Sequence, residues 1–158
     1  MKLAAQDMQG FMQQALRVAQ EGASRGEVPV GAVVVHQGSV VAEAHNEVES
    51  SNDSSAHAEV LAMRRAAQVL GDWRLHETQL FVTLEPCTMC VGAVKLARVP
   101  LVVFAATDER LGACSSLFDL MQDTRLGPEV RVVSGVCADE SVALLQSFFQ
   151  SKRKKRDN

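Results

Sequence analysis

The sequence predicts an α/β fold of three layers, in which a central mixed sheet of five strands lies between helices. The chain has 158 residues, which suits a single domain, and 47% of them are hydrophobic, which is enough for a packed core. Five short runs rich in valine and other strand-forming residues alternate with segments of helical periodicity. This alternation is typical of a sheet that helices cover on both faces.

The first elements are a helix and a pair of strands. Residues 7–24 place apolar side chains at helical spacing, and two glycines mark the end of this helix. Residues 30–36 and 40–45 are predicted as strands, and Gln-Gly-Ser at 37–39 predicts a hairpin turn between them.

The middle of the chain adds two helices and a third strand. Polar residues 46–55 predict a loop, after which residues 56–70 form a helix that Gly71 ends. Residues 79–84 are predicted as a strand. Pro86 opens the next helix, which runs to about residue 97, because the missing N–H of proline costs little at a helix start. The candidate N-caps of the helix over 56–70 are Asp53, Ser54 and Ser55.

The last third of the chain completes the sheet. Residues 100–105 are almost wholly apolar, as expected for a strand in the middle of a sheet. A loop with a short helix over 116–121 follows, then a strand over 130–134 and a final helix over 139–150.

The composition excludes a membrane-spanning chain and disfavours a secreted one. No apolar run approaches the roughly 20 residues that a helix needs to cross a bilayer. The first seven residues contain no apolar signal segment, so we expect a cytoplasmic protein in a reducing compartment. The four cysteines are then expected as metal ligands or buried thiols.

The net charge of −3 is unevenly distributed. Five basic residues fill positions 152–156, whereas residues 1–151 carry 11 basic and 18 acidic residues, a net charge of −7. We therefore divide the chain into a domain over residues 1–151 and a basic C-terminal tail over residues 152–158. A basic tail on an acidic body favours contact with a polyanion, because phosphate neutralisation releases counterions. A solvated chain end or a nuclear localisation signal are the alternatives.

Two short motifs, each at the opening of a predicted helix, indicate a metal centre. His57 and Glu59 stand in His-Ala-Glu, and Cys87 and Cys90 stand in Pro-Cys-Thr-Met-Cys. The two cysteines share one helical turn, so their sulfurs point the same way, and a helix N-terminus favours the thiolate that binds metal. With His57 as third ligand, the fourth tetrahedral position is left to water, which is typical of catalytic zinc. Glu59 can take a proton from that water, whose pKa the metal lowers.

A closed structural zinc site is the alternative, and it requires a fourth protein ligand. No other cysteine or histidine has short ligand spacing to the two motifs, so each is explained as a buried thiol or an ordinary imidazole. The ordered pattern His-x-Glu followed by Pro-Cys-x-x-Cys is moreover the signature of zinc-dependent nucleobase deaminases. The candidates for a fourth ligand are Cys114, Cys137, His36, His45 and His76.

Through these motifs and their flanking residues, the chain resembles the bacterial tRNA-specific adenosine deaminase family, within the cytidine deaminase-like superfamily. The likeness covers about residues 7–150. The motifs around the metal ligands are specific to the superfamily, and the flanking stretches point to this family. The matching stretches are 27–33, Asn46, 56–59, 83–90, 102–105 with Asp108, 112–113, 116–117 with Asp119, and 148–149.

The resemblance implies a cytidine deaminase-like fold, a homodimer and one zinc ion per subunit. It also implies hydrolytic conversion of adenosine to inosine at the wobble position of a tRNA anticodon, so the partner is an anticodon stem-loop. Activated water attacks carbon 6 of adenine, Glu59 moves the proton, and ammonia leaves. The base is flipped into the pocket, which costs little because the bases of a loop unstack easily.

The resemblance further implies a set of substrate contacts. Without the likeness, Asn46 would be explained as a turn residue and residues 28–30 as a loop that enters a strand. Phe148 and Phe149 would be explained as core aromatics. The expected contacts are hydrogen bonds to the base from Asn46 and the N–H of Ala58, pocket walls from Val28, Pro29 and Val30, a ribose contact from Asp108, and stacking on anticodon bases by Phe148 and Phe149. The expected RNA-contacting side chains are Arg110, Lys152, Arg153 and Lys154.

The chain departs from the family at residues 50–55. The family often has Gly-Arg-His-Asp-Pro-Thr before its Ala-His-Ala-Glu, whereas this chain has Ser-Ser-Asn-Asp-Ser-Ser. A phosphate contact and some loop stiffness are therefore expected to be lost, and the basic tail, with Lys95, Arg98 and Arg110, is expected to compensate. Glu85 is expected to be a helix-start carboxylate that the helix dipole favours.

Two other functions remain open on the sequence. A deaminase of free cytosine, guanine or a nucleotide keeps the chemistry, and the acidic body favours it, whereas the basic tail counts against it. A non-catalytic RNA-binding module would have no need of Glu59 or of an open metal position. A comparison of activity on an anticodon stem-loop with activity on free bases and nucleosides distinguishes a tRNA deaminase from a free-base deaminase. Loss of turnover in a Glu59→Ala variant that keeps zinc and fold distinguishes an enzyme from a non-catalytic module.

Overall fold

The computed structural model describes residues 3–158 and confirms the predicted three-layer α/β/α architecture. A sheet in the order β2-β1-β3-β4-β5 lies between two pairs of long helices. A 3-10 turn over Thr124–Leu126 precedes the last strand. The elements are α1 Ala5–Ser24, β1 Gly31–His36, β2 Ser39–His45, α2 Val48–Ser51, α3 Ala58–Leu70, β3 Thr78–Leu84, α4 Thr88–Ala97, β4 Leu101–Ala106, β5 Arg131–Val133 and α5 Ala138–Arg156.

The sheet is mixed, as predicted. β1 pairs antiparallel with β2 and β3, whereas β3, β4 and β5 run parallel. The hairpin between β1 and β2 turns at Gln37 and Gly38, whose φ angles are 50° and 77°. Two positive φ angles in a two-residue loop give the turn whose twist matches that of paired strands.

Alternate strand residues build two separate cores. Val33, Phe81 and Val103 pack beneath α1 and α5, because successive side chains of a strand point to opposite faces. Leu80 and Phe104 belong to the larger core beneath α3 and α4. The metal-binding motifs begin the two helices that cover this larger core.

Several predicted helix boundaries are wrong. His57 is the N-cap of α3, and Asp53 instead accepts hydrogen bonds from the N–H and hydroxyl of Ser55. Pro86 precedes the N-cap of α4, which is Cys87. The short helix α2 lies inside the predicted loop over 46–55. Residues 116–121 form an irregular loop rather than a helix, and Asp119 pairs with Cys114 in an isolated bridge.

The final helix runs to Arg156, six residues beyond its predicted end, and so contains most of the basic tail. No glycine or proline interrupts Ala138–Arg156, and basic residues near a helix C-terminus interact favourably with its dipole. The Lys152 ammonium lies 5.1 Å from the centre of the Phe148 ring, one turn earlier. Within residues 3–158, no helix combines the length and the hydropathy that crossing a membrane requires.

Candidate active site

Two helix N-termini bring the predicted metal ligands together. His57 is the N-cap of α3 and Cys87 is the N-cap of α4, and both have the extended backbone that is usual at this position. Cys90 follows in the first turn of α4. The unpaired N–H groups of a helix start favour negative charge, so both sulfurs lie where thiolate is stabilised.

The geometry of the three ligands fits zinc. His57 Nδ1 lies 3.7 Å from Cys87 Sγ and 3.5 Å from Cys90 Sγ, and the three ligand atoms lie within 4.8 Å of one another. Zinc–sulfur and zinc–nitrogen bonds of tetrahedral geometry separate such atoms by roughly 3.5 Å. Within residues 3–158, no fourth histidine, cysteine or carboxylate joins this group, so the closed structural site has no support.

Hydrogen bonding inside the ligand group prepares one sulfur for metal. The contact with Cys90, and after it the contact with His57, lowers the pKa of Cys87 to about 4 despite partial burial. The contact with Cys87 and burial raise the pKa of the Cys90 thiol. Hydrogen bonding to Cys87 raises the pKa of His57 against the opposing effect of burial. One thiolate is therefore available near neutral pH, and the second proton leaves when metal binds.

Glu59 lies in the first turn of α3, two residues after His57. Only 4% of it is exposed, yet it forms part of a cavity wall. Burial raises the pKa of Glu59, which brings the carboxyl closer to the range in which it can both accept and release a proton. Within residues 3–158 it has no ion-pair partner. This environment suits proton transfer better than a fixed charge pair.

A cavity of about 590 Å³ adjoins the ligand group, since His57, Glu59 and Cys87 all contribute to its wall. Its volume lies within the range of small-molecule sites. Polar groups near the ligands and apolar groups elsewhere would fix the orientation of a flat heterocycle while excluding water. The apolar part of the wall is formed by Val28, Val30, Val48, Leu84, Leu111, Leu145 and Phe149.

The Asn46 side chain has a defined orientation. Its Oδ1 accepts a hydrogen bond of 2.9 Å from the backbone N–H of Ala58. Because that N–H can only donate, the amide nitrogen of Asn46 is the group left for another partner. The N–H of Ala58 is therefore already paired with Asn46, and the Asn46 side chain itself lines the cavity.

The other predicted contacts divide into two groups. Asp108 lines the cavity, and its Oδ1 also accepts the N–H groups of Arg110 and Leu111, which fixes the turn after β4. Pro29 and Ala58 are buried and do not line the cavity. The predicted residues that contribute to the wall are Val28, Val30, Asn46, Asp108, Arg110 and Phe149.

The basic residues of α5 lie outside this cavity. Lys152 lines a separate cleft between the ends of α1 and α5, together with Phe148. Arg153 and Lys154 are exposed on the same helix and line neither space. Phe149 therefore lines the cavity beside the metal ligands and Phe148 lines the separate cleft, although the centres of their rings lie only 5.4 Å apart.

Two buried carboxylates beside the cavity received no catalytic or binding role from the sequence. Glu27 accepts the N–H groups of Glu49 and Ser50 at 2.8 and 3.0 Å. Burial alone raises the pKa of Glu27, but these hydrogen bonds outweigh it and lower the pKa. Glu85 likewise has a lowered pKa, because hydrogen bonds from Ser116 and other backbone groups outweigh burial. For Glu85, an acidic residue between Leu84 and Pro86 at the end of a predicted strand was the available sequence signal.

Sequence comparison finds a family model and close relatives. The model for the cytidine and deoxycytidylate deaminase zinc-binding region matches residues 5–106. The tRNA-specific adenosine deaminase of Bacillus subtilis (strain 168) is 45% identical over 146 residues, which cover 92% of this chain and 91% of that protein. The tRNA-specific adenosine deaminase of Haemophilus influenzae is 39% identical over 147 residues, covering 92% and 85%.

Comparison with solved structures finds the same fold. One match comes from biochemical and structural studies of A-to-I editing by tRNA:A34 deaminases at the wobble position of transfer RNA. It has a TM-score of 0.83 and 39% identity, and the match covers 86% of this chain and 99% of that one. A guanine deaminase from Nitrosomonas europaea has a TM-score of 0.74 and 26% identity, covering 89% and 83%.

Proposed function

Because the chain belongs to the cytidine and deoxycytidylate deaminase zinc-binding family, we propose that it deaminates adenosine to inosine at the wobble position of a tRNA anticodon. The observation that carries this proposal is the three-ligand group of His57, Cys87 and Cys90 beside the buried Glu59. The reaction consumes one water and releases ammonia. Relatives named tRNA-specific adenosine deaminases match the chain over nearly its whole length.

The ligand group and Glu59 divide the chemistry between them. When bound, zinc supplies a Lewis acid that makes water a nucleophile near neutral pH. Glu59 takes one proton of the attacking water and passes it to a ring nitrogen. It then takes the second proton from the hydroxyl group on carbon 6 and delivers it to the amino group, which leaves as ammonia. Its buried position keeps that proton from exchanging freely with solvent during the reaction.

The cavity wall selects a purine by shape and one oriented hydrogen bond. The amide nitrogen of Asn46 donates to a ring acceptor of the base, since its oxygen is held by Ala58. Val28 and Phe149 form apolar parts of the wall against which the flipped base packs. Asp108 lies after β4, where the ribose of the same nucleotide would enter.

Basic side chains at the cavity rim and at the end of α5 contact the anticodon stem-loop. Arg110 is exposed on the cavity rim, and Lys152, Arg153 and Lys154 project from the last two turns of α5. Lys152, Arg153 and Lys154 form a cationic helix end next to an acidic domain of residues 1–151, so the RNA is attracted to this side of the molecule. Since tRNA and reduced thiol ligands occur together in the cytoplasm, we place the activity there.

The chain acts as a homodimer through the exposed face of α3 and α4. Leu96 is 78% exposed and Trp73 54% exposed, and both line an apolar groove with Leu126, which is 51% exposed. Large apolar side chains gathered on one surface are typical of protein interfaces. Leu96→Asp is expected to turn a dimer into a monomer in light scattering, whereas Val142→Asp on α5 leaves it dimeric. A wild-type chain that is monomeric at micromolar concentration contradicts the dimer.

The direct test of the activity uses an anticodon stem-loop with adenosine at the wobble position. Incubation with the zinc-loaded protein is expected to give inosine at that position and nowhere else in the RNA. Free adenine, guanine, cytosine and their nucleosides serve as competing substrates. Preferential turnover of free guanine or cytosine, with no inosine in the stem-loop, would overturn the proposal in favour of a free-base deaminase.

A further inference from the structure

The carboxylate of Glu85 is the acceptor for five hydrogen-bond donors from one loop. Glu85 follows β3, is only 3% exposed and also lines the catalytic cavity. Its Oε1 accepts the N–H of Asp108 at 3.1 Å and the hydroxyl of Ser116. Its Oε2 accepts the N–H groups of Cys114, Ser115 and Ser116 at 3.0 to 3.1 Å.

These donors belong to a loop that folds around the carboxylate. A Cβ added at Gly112 would collide with the Glu85 carboxylate and with the backbone oxygen of Asp108. The N–H of Gly112 closes the turn by donating to that oxygen at 2.8 Å. The hydrogen bonds to Glu85 and the close approach at Gly112 therefore restrict the backbone conformation of this loop.

The same loop connects the metal centre to the substrate cavity. At one end, Gly112 pairs with the ligand Cys87 in an antiparallel bridge, and Ala113 donates to the carbonyl of Pro86 at 2.8 Å. At the other end, Asp108 and Leu111 form part of the cavity wall. Glu85 links these ends, because one carboxylate oxygen accepts the N–H of Asp108 and the other accepts the N–H groups of residues 114–116.

We propose that Glu85 is a positioning residue that fixes the Asp108–Leu111 wall of the cavity relative to Pro86 and the metal ligand Cys87. It touches neither metal nor substrate atoms in this role. The inference rests on the proposed deaminase function, since that wall is where the nucleotide binds. Its physical basis is that both oxygens of a carboxylate accept hydrogen bonds, so Glu85 orders N–H groups on both sides, whereas a carboxamide of the same shape has only one acceptor oxygen.

Glu85→Gln tests this role because glutamine has the shape of glutamate and one acceptor oxygen fewer. The favourable orientation places the amide oxygen toward the three N–H groups of residues 114–116. The amide nitrogen then faces Asp108 and Ser116, and the serine hydroxyl can rotate to accept, whereas the N–H of Asp108 cannot. The substitution therefore releases the Asp108 end of the loop, which is the end that lines the cavity.

The expected result is a change in substrate binding with an intact metal centre. Glu85→Gln should keep one zinc per chain, raise KM for the stem-loop about tenfold and change kcat less. Amide hydrogen exchange, which needs no substrate, should show loss of protection at Asp108 while Ala113 keeps its protection. Wild-type protein that makes no inosine would refute the proposed function. Hydrogen exchange at the Asp108 amide tests the role of Glu85 independently, because it does not depend on activity.

Neighbouring serines give a milder version should Glu85→Gln fail to fold. Ser116→Ala removes one donor to Glu85 and should raise KM about threefold. Ser115→Ala is the matched control, since Ser115 bonds to Glu85 through its backbone N–H alone. A KM within twofold of wild type for both Glu85→Gln and Ser116→Ala, or an unchanged exchange rate at Asp108, would overturn the positioning role. Loss of zinc from Glu85→Gln would overturn it as well, by placing the effect on the metal.

Discussion

Replacement of Glu59 by glutamine probes the proposed chemistry with the least disturbance of the fold. The two side chains have nearly the same volume, so Glu59→Gln leaves no void in the buried first turn of α3. None of the three metal ligands is altered. The substitution removes only the ability to accept a proton from water and deliver it to the base and to the leaving amino group.

The size of the effect follows from the burial of the side chain. General acid–base catalysis contributes about 10²- to 10⁴-fold, and here one residue serves several proton transfers. Because only 4% of Glu59 is exposed, bulk water cannot readily take its place. We therefore expect kcat to fall at least about 10³-fold, which corresponds to roughly 4 kcal/mol of transition-state stabilisation.

Single-turnover formation of inosine in the stem-loop measures the loss, and zinc analysis with thermal unfolding shows whether fold and metal persist. Glu129→Gln removes an exposed carboxylate that does not line the cavity, and it is expected to keep wild-type turnover. A Glu59→Gln variant with turnover within tenfold of wild type would refute proton transfer by this residue. A variant without zinc would show that Glu59 acts on the metal site instead.

Three further predictions concern the metal, stability and RNA binding. Cys87→Ala removes a sulfur ligand, so zinc and turnover should both be lost after gel filtration, and a variant with one zinc per chain would contradict the ligand assignment. Glu27→Gln should lower the free energy of unfolding by about 1–3 kcal/mol at pH 7, because it weakens the acceptor for Glu49 and Ser50. The folded-state pKa of Glu27 is lowered, so its stabilisation is complete above the unfolded value of about 4.3 and is lost as pH falls below it. Urea denaturation should therefore show the gap between wild type and Glu27→Gln closing at low pH, whereas a constant gap would argue against an ionised Glu27. Removal of residues 152–158 should weaken stem-loop binding and flatten its dependence on salt, and an unchanged slope would leave the end of α5 without an RNA role.

The fold and the metal ligands could be predicted because their signals are local in the sequence. Five apolar runs of strand length and a short hairpin sequence were enough to place the sheet. His57, Cys87 and Cys90 stand in motifs whose chemistry depends on residue type and short spacing, so their convergence needed no knowledge of long-range contacts. The order of the strands and their directions followed only from the structure.

The residues that shape the cavity could not be predicted in the same way. Glu27 bonds to residues 22 and 23 positions away, and Glu85 to residues 23 to 31 positions away, and no spacing rule connects them. The candidate caps before α3 were wrong because Asp53 bonds within its own turn, which is a local alternative that the same residue type offers. The predicted end of α5 at residue 150 was six residues too early, because basic residues 152–156 continue the helix.

We expect His57, Cys87 and Cys90 to hold a zinc ion whose fourth position is left to solvent. X-ray absorption spectroscopy of the purified protein, together with metal analysis, measures this coordination directly. We expect one zinc per chain, bound by two sulfurs, one imidazole nitrogen and one light atom that a substrate-like inhibitor displaces. A protein without zinc, or a spectrum with a third sulfur or a second imidazole in the first coordination shell, would contradict it.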